Sequence, residues 1–146
     1  MLKGIHPLLT ADLLHSLMAM GHGDEIAIVD GNFPAASLGP RVIELAGVSS
    51  PECLVAVLSV LPLDTFASPA AFTMQVVDDP DAVPEAVADF AAVFSDYDLS
   101  DHEIGGLERY AFYERARGAF AIVRTGELRP YGNILLVKGV VNTAQI

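Results

Sequence analysis

Cysteine, tryptophan and positive charge are scarce in this chain: of 146 residues, one is Cys, none is Trp, and 8 are Lys or Arg against 19 Asp and Glu. The lone Cys53 permits no internal disulfide and no cysteine-based zinc site. The shortage of cations leaves a formal net charge of -11 and an isoelectric point near 4.5. Nucleic-acid binding needs clustered Lys and Arg against the phosphate backbone, and an anionic membrane surface makes the same demand. Both partner classes are therefore disfavoured. Long apolar runs are missing too. The richest, Cys53 to Leu61, ends at Pro62, short of the roughly 20 residues a membrane span needs. The start, Met-Leu-Lys-Gly-Ile-His-Pro with Asp12 soon after, lacks a signal-peptide apolar core, so a cytoplasmic protein is the expectation.

What is present in quantity is apolar side chain: 52% of residues, with a mean hydropathy of +0.43. A chain of this length suits one domain, here residues 1–146, with a core of useful size. So much apolar surface on so small a body predicts a homo-oligomer. No repeat, low-complexity tract or Pro/Gly/Ser linker divides the sequence. Helical and strand patterns alternate, the mark of an α/β layer architecture.

Thr10 can cap a first helix with Leu13, Leu14, Leu17 and Met18 on one face, stopped at Gly21. Glu25 to Asp30 reads as a buried strand ending in a carboxylate, followed by a loop over residues 31–40 and a short strand at Arg41–Leu45. Ser50-Pro51-Glu52 opens a second helix with Ser50 as its cap. Residues 70–77 read as a strand and Pro84-Glu85 starts a helix through Phe94. The acidic segment 95–103 reads as a solvated loop. Residues 108–112 then read as an aromatic strand, 113–118 as a short helix, 119–125 and 133–140 as two further strands.

Three places gather polar residues at the ends of apolar elements, where α/β folds usually keep their sites. At Gly21-His22-Gly23-Asp24, with Asp30 one strand away, His22 is either a catalytic imidazole or an ordinary histidine favoured by a helix C-terminus. The glycines imitate a phosphate loop, but on a helix-to-strand turn rather than strand-to-helix, which excludes that reading. In the second place, period-2 alternation sets Arg109 and Ala111 on one strand face. An arginine there needs a partner: a carboxylate such as Asp30 or Glu114, or a ligand's oxygens. The third, Pro130-Tyr131-Gly132-Asn133, is either a plain turn or a phenol, an amide and exposed main-chain groups suited to sugar hydroxyls.

The other candidates are structural. Cys53 reads as a core residue, His15 as surface, and Asp96, Asp98, Asp101 and Glu103 as a solvated face without calcium-loop spacing. No two of the four histidines stand at i, i+4, so no metal is expected.

Four segments in order carry a specific resemblance: Gly-His-Gly-Asp-Glu at 21–25, Asp30 followed by Asn-Phe-Pro-Ala at 32–35, Ala-Phe-Tyr-Glu-Arg-Ala at 111–116, and Tyr-Gly-Asn-Ile-Leu-Leu at 131–136. Together they resemble the RbsD/FucU family of D-ribose pyranases and L-fucose mutarotases. The details side with the fucose branch, since the ribose branch typically has threonine after the histidine, Tyr-Ala-Asn near the end, and no Phe-Tyr-Glu-Arg-Ala segment. Gly31 departs from the alanine usual after the aspartate. The resemblance implies a single-domain layered α/β/α fold with a mixed central sheet and no cofactor. It implies His22 as proton donor, and Asp30, Arg109, Tyr113, Tyr131, Gly132 and Asn133 as substrate-binding residues. It further implies a cytoplasmic decamer of two pentameric rings, with sites near subunit contacts.

The residue types suit that chemistry. Exchanging α and β anomers takes a proton from the anomeric hydroxyl and gives one to the ring oxygen, which a group titrating near about 6.5 can do at neutral pH. Asp30 would orient the sugar or His22. The alternatives are a sugar-binding or regulatory oligomer without turnover, a mutarotase or pyranase for ribose or another aldose, and a purely structural Arg109–Asp30 pair.

Overall fold

Alternation along the apolar strands is what builds the layers. A computed structural model describes residues 2–39 and 41–141. Pro40, at the end of the expected loop, and residues 1 and 142–146 of the expected domain lie outside them. Six strands form one mixed sheet: β1 (Glu25–Val29), β2 (Arg41–Leu45), β3 (Ala71–Met74), β4 (Ile104–Leu107), β5 (Ala121–Thr125) and β6 (Ile134–Val137), in the order β2-β5-β1-β6-β3-β4. β1 lies at the centre, parallel to β5 and antiparallel to β6, with Glu25 opposite Val137 and Ile28 opposite Ile134. Period 2 sends Ile26 and Ile28 to one face and Ala27 and Val29 to the other.

Each face is covered by helices. On the first lie α1 (Ala11–Ala19), α3 (Ser50–Leu58) and α4 (Glu85–Asp96), burying Leu13, Leu54 and Phe90. On the second lie α2 (Ala35–Leu38) and α5 (Arg109–Gly118), burying Leu38, Phe112 and Ala116. The result is the expected α/β/α layering around a mixed sheet. Cys53 is fully buried in the first core, and burial pushes its thiol up to about 12.

Several local expectations need correction. The aromatic strand over 108–112 does not exist; Glu108 instead caps α5, its carboxylate accepting from the Tyr110 and Ala111 N–H groups. The buried pair Phe112 and Ala116, four residues apart, packs that helix on the sheet. Within the acidic segment α4 runs on to Asp96, and the strand β4 follows it. The cap of α3 is Ser49, in a capping box with Glu52, so Ser50 is already helical. Met18 points to solvent, while Ser16 takes the inward position by donating to the Asp12 carbonyl.

Candidate functional site

The antiparallel pairing of β1 with β6 divides the candidate residues between two ends of the sheet. Asp30 leaves the C-terminal end of β1 and meets residues 131–133, which lead into β6. His22 lies at the other end, before β1, with Asp64 and the Lys138 main chain. Five strand residues rising about 3.3 Å each keep the two groups roughly 15 Å or more apart.

At the Asp30 end a cleft of about 260 Å³ is lined by Asp30, Asn32, Phe33, Met74, Arg109, Tyr113, Pro130, Tyr131 and Asn133. It is slightly smaller than the range typical of drug-sized ligands, about 300–1,000 Å³. Asp30 and Asn133, both almost fully buried, hold each other reciprocally. Asn133 Nδ2 donates to Asp30 Oδ2 at 3.0 Å and the Asp30 N–H donates to Asn133 Oδ1 at 2.9 Å. The Asn32 N–H donates to Asp30 Oδ1 at 2.9 Å. Burial holds the Asp30 carboxyl above its ordinary value, with Glu127 adding to the rise while the Asn32 and Asn133 hydrogen bonds oppose it. Tyr131 adopts a left-handed backbone (φ 61°), and its hydroxyl accepts from the Val77 N–H at 3.2 Å. Tyr113 packs edge-on against Phe33.

Arg109 enters this cleft from the first turn of α5. Its Nη2 donates to the Tyr110 hydroxyl at 2.8 Å, and its Nε, shielded from solvent, has no hydrogen-bond partner. Among the described residues it is the arginine without a carboxylate: Arg41, Arg115, Arg117, Arg124 and Arg129 pair with Asp12, Glu25, Glu114, Glu44, and Asp89 with Glu127. The expected structural partners Asp30 and Glu114 do not hold it. In a chain with 19 acids this is a cation left available. Gly132 does not line the cleft; it is buried beneath it, where a Cβ would come within 2.7 Å of Glu127 Cγ.

At the opposite end His22 Nε2 lies 3.0 Å from Asp64 Oδ1, and its ring sits 5.2 Å from that of Phe66. Asp64 was missed in the sequence. The Phe66 N–H and His22 hold its carboxyl below the ordinary value. Asp30, expected as a possible orienter of His22, has no contact with it in the same chain. A larger cleft of about 410 Å³, lined largely by Leu58–Leu63 and Val140, contains none of the candidate residues. No group of three or more His, Cys, Asp or Glu side chains among the described residues is arranged to hold a metal ion. No helix among them is long and apolar enough to cross a membrane.

Known proteins share this fold. The fucose mutarotase of Streptococcus pneumoniae, solved in complex with L-fucose, is 40% identical, with a TM-score of 0.91 over 97% of this chain and 100% of that one. FucU from Bifidobacterium longum is 40% identical, with a TM-score of 0.89 over 96% of this chain and 100% of that one. RbsD from Bacillus subtilis, solved with D-ribose, is 24% identical and has the same fold, with a TM-score of 0.75 over 97% and 100% of the two chains. Residues 3–141 match the RbsD / FucU transport protein family, and the chain belongs to that family.

Proposed function

We propose that this protein is a mutarotase for an L-fucose-type aldose, an isomerase working without a cofactor in the cytoplasm. The observation that carries the reading is the Arg109 guanidinium, paired with no carboxylate among the described residues and with its Nε unpartnered, lining one small cleft with Asp30, Asn133 and Tyr131. A fork of donors, buried acceptors and aromatic walls is the chemistry that neutral polyols require. The likeness to a relative solved with L-fucose supports the choice of sugar.

In this reading Arg109, Asp30, Tyr113, Tyr131 and Asn133 bind the hydroxyls, and the turn at Gly132 shapes the wall. His22 is the proton donor. With Nε2 turned to Asp64, the ring offers Nδ1 to the sugar. Nδ1 of the neutral ring takes the anomeric hydroxyl's proton as the carbonyl forms and the C1–ring-oxygen bond breaks, and the imidazolium so formed gives that proton to the ring oxygen. Rotation about C1–C2 and reclosure on the other face, with the protons returned, completes the exchange. Positioned acid–base catalysis of this kind is worth about 10²–10⁴-fold.

Because His22 and Asp30 stand apart within one chain, this reading has a neighbouring copy bring its His22 to the cleft. A homo-oligomer with sites at subunit contacts, as in a decamer of two pentameric rings, meets that condition. Proton saturation transfer between α- and β-L-fucose tests the whole reading. Fast exchange that disappears in His22→Ala is expected. Fucose binding without exchange would leave a sugar-binding oligomer, and exchange only with ribose or another aldose would change the substrate.

A further inference from the structure

Beneath the cleft lies a second charged group that touches no ligand-facing space. Glu127 is 4% exposed, unusual for an acid, and its contacts tie together the segments around the cleft. Its Oε1 accepts from the Arg129 N–H and Nε, each at 3.0 Å, and its Oε2 accepts from Arg129 Nη2 at 2.9 Å. The Ser50 main-chain N–H, in the first turn of α3, also faces the carboxylate. Arg129 then reaches α4, with Nη1 donating to Asp89 Oδ2 at 2.8 Å. The main chain is tied just as closely. The Glu127 carbonyl accepts from the Gly31 N–H at 3.0 Å, and its N–H donates to Thr125 Oγ1, which itself donates to the Val29 carbonyl.

These contacts converge on the two chain segments that form the cleft. Gly31 follows Asp30 directly, and Gly132 stands between Tyr131 and Asn133. Gly132 can lie flat on the Glu127 side chain because it has no Cβ, which would meet Glu127 Cγ at 2.7 Å and Ser50 Oγ at 3.0 Å. That close approach sets the height of Asn133 opposite Asp30 and the left-handed turn at Tyr131. A bidentate arginine–carboxylate fork fixes orientation as well as distance. The charged neighbours of Glu127 are Arg129, Asp89 beyond it, Asp30 across the turn, and Glu52 in the first turn of α3.

The geometry points to Glu127 and Arg129 as positioning residues, a clamp that holds the 131–133 turn and Asp30 in sugar-binding register without touching the sugar. This rests on the sugar-site reading above. Pre-organisation of this kind acts on binding, because a loosened turn must be re-ordered by each incoming ligand. His22 is on another element, so proton transfer in the filled site is left alone.

The test measures fucose exchange against sugar concentration in wild type, Glu127→Gln, Arg129→Met and Arg129→Lys, with hydrogen exchange at the Asn133 and Asp30 amides followed without sugar. In Glu127→Gln and Arg129→Met, KM is expected to rise about tenfold with kcat within about threefold of wild type. Arg129→Lys restores the charge but not the fork and is expected to fall between. The two amides should exchange at least about tenfold faster in the first two variants, while those of β1 inside the sheet do not change. A merely structural role would lower the active fraction, and with it kcat, at constant KM. Folded variants with wild-type KM and wild-type amide exchange would overturn the clamp. Should Glu127→Gln not fold, Arg129→Met alone decides by the same criteria. Wild type without exchange on any aldose sinks the mutarotase reading; the amide rates then decide the clamp, unchanged rates overturning it.

Discussion

Arg109 and Glu127 are opposite solutions to the same problem, a charge partly removed from water. Glu127 is surrounded by donors, and the Arg129 side chain, ahead of its main chain and the Ser50 N–H, brings its carboxyl down to about 2 from an ordinary 4.5. A carboxyl depressed by folding stabilises the fold above its unfolded value and loses that contribution as pH falls through its folded one. The thermal midpoint is therefore expected to drop between about pH 4.5 and pH 2, and to drop less in Glu127→Gln; thermal melts across that range check it. Arg109 forms no ion pair among the described residues. Replacing it with Met should leave the melting temperature within a few degrees of wild type and weaken fucose binding by about tenfold or more, roughly 1.4 kcal/mol. Calorimetric titration together with a thermal melt separates the outcomes, since retained affinity with lost stability would return Arg109 to a structural role. Gly31, the departure from the family pattern, is no slack point: its N–H is bonded to the Glu127 carbonyl.

Elements explain which parts were readable beforehand. Strands β1 and β5 were plain because each carries an unbroken apolar stretch, Ile26–Val29 and Ala121–Val123, as buried strands do, while the edge strand β2 sets exposed Glu44 between buried Ile43 and Leu45. Helix α5 was misread because residues 108–112 alternate over a single short stretch, a period a helix start can mimic. The signal that could have corrected it is Glu108 as an acidic cap, with Phe112 and Ala116 four apart. Strand β4, with two glycines in four residues, carries no pattern at all. The turn after β5 depends on close approach: a Cβ on Gly126 would meet the Ala46 carbonyl oxygen at 2.0 Å. Gly126→Ala is expected to destabilise by about 1–3 kcal/mol or more, through displacement of the turn that carries Glu127. Denaturant unfolding measures it, and an unchanged midpoint would mean that the turn is free to move.

For the whole molecule the proposed function turns on the distance between the two ends of β1. When pure, His22→Ala should abolish turnover, and Arg109→Met should cripple it at sugar concentrations below KM. If neighbouring copies share each site, unfolding and refolding the two variants together should restore exchange at up to about a quarter of the sites, by random pairing across a heterologous contact. Saturation transfer on the mixture, beside sedimentation to establish the assembly, reads this directly. Mixed oligomers as inactive as the separate variants would argue for a site within one chain. Exposed Met18, Phe66 and Leu128 supply apolar surface for such contacts.

Local information was enough for the α/β class and for most of the chemical groups, because strand period, capping residues and the types of side chain are properties of neighbours in the chain. His22, Asp30, Arg109 and the 131–133 turn could be picked out that way. Their grouping could not. That Asn133 faces Asp30 across 103 positions, that Asp64 and not Asp30 meets His22, and that Arg109 forms no ion pair among the described residues all follow from β6 lying antiparallel to β1 and from α5 beginning one residue before Tyr110. The pairing of strands distant in sequence depends on cores packed from both faces of the sheet, and that energy exists only once the chain has closed upon itself.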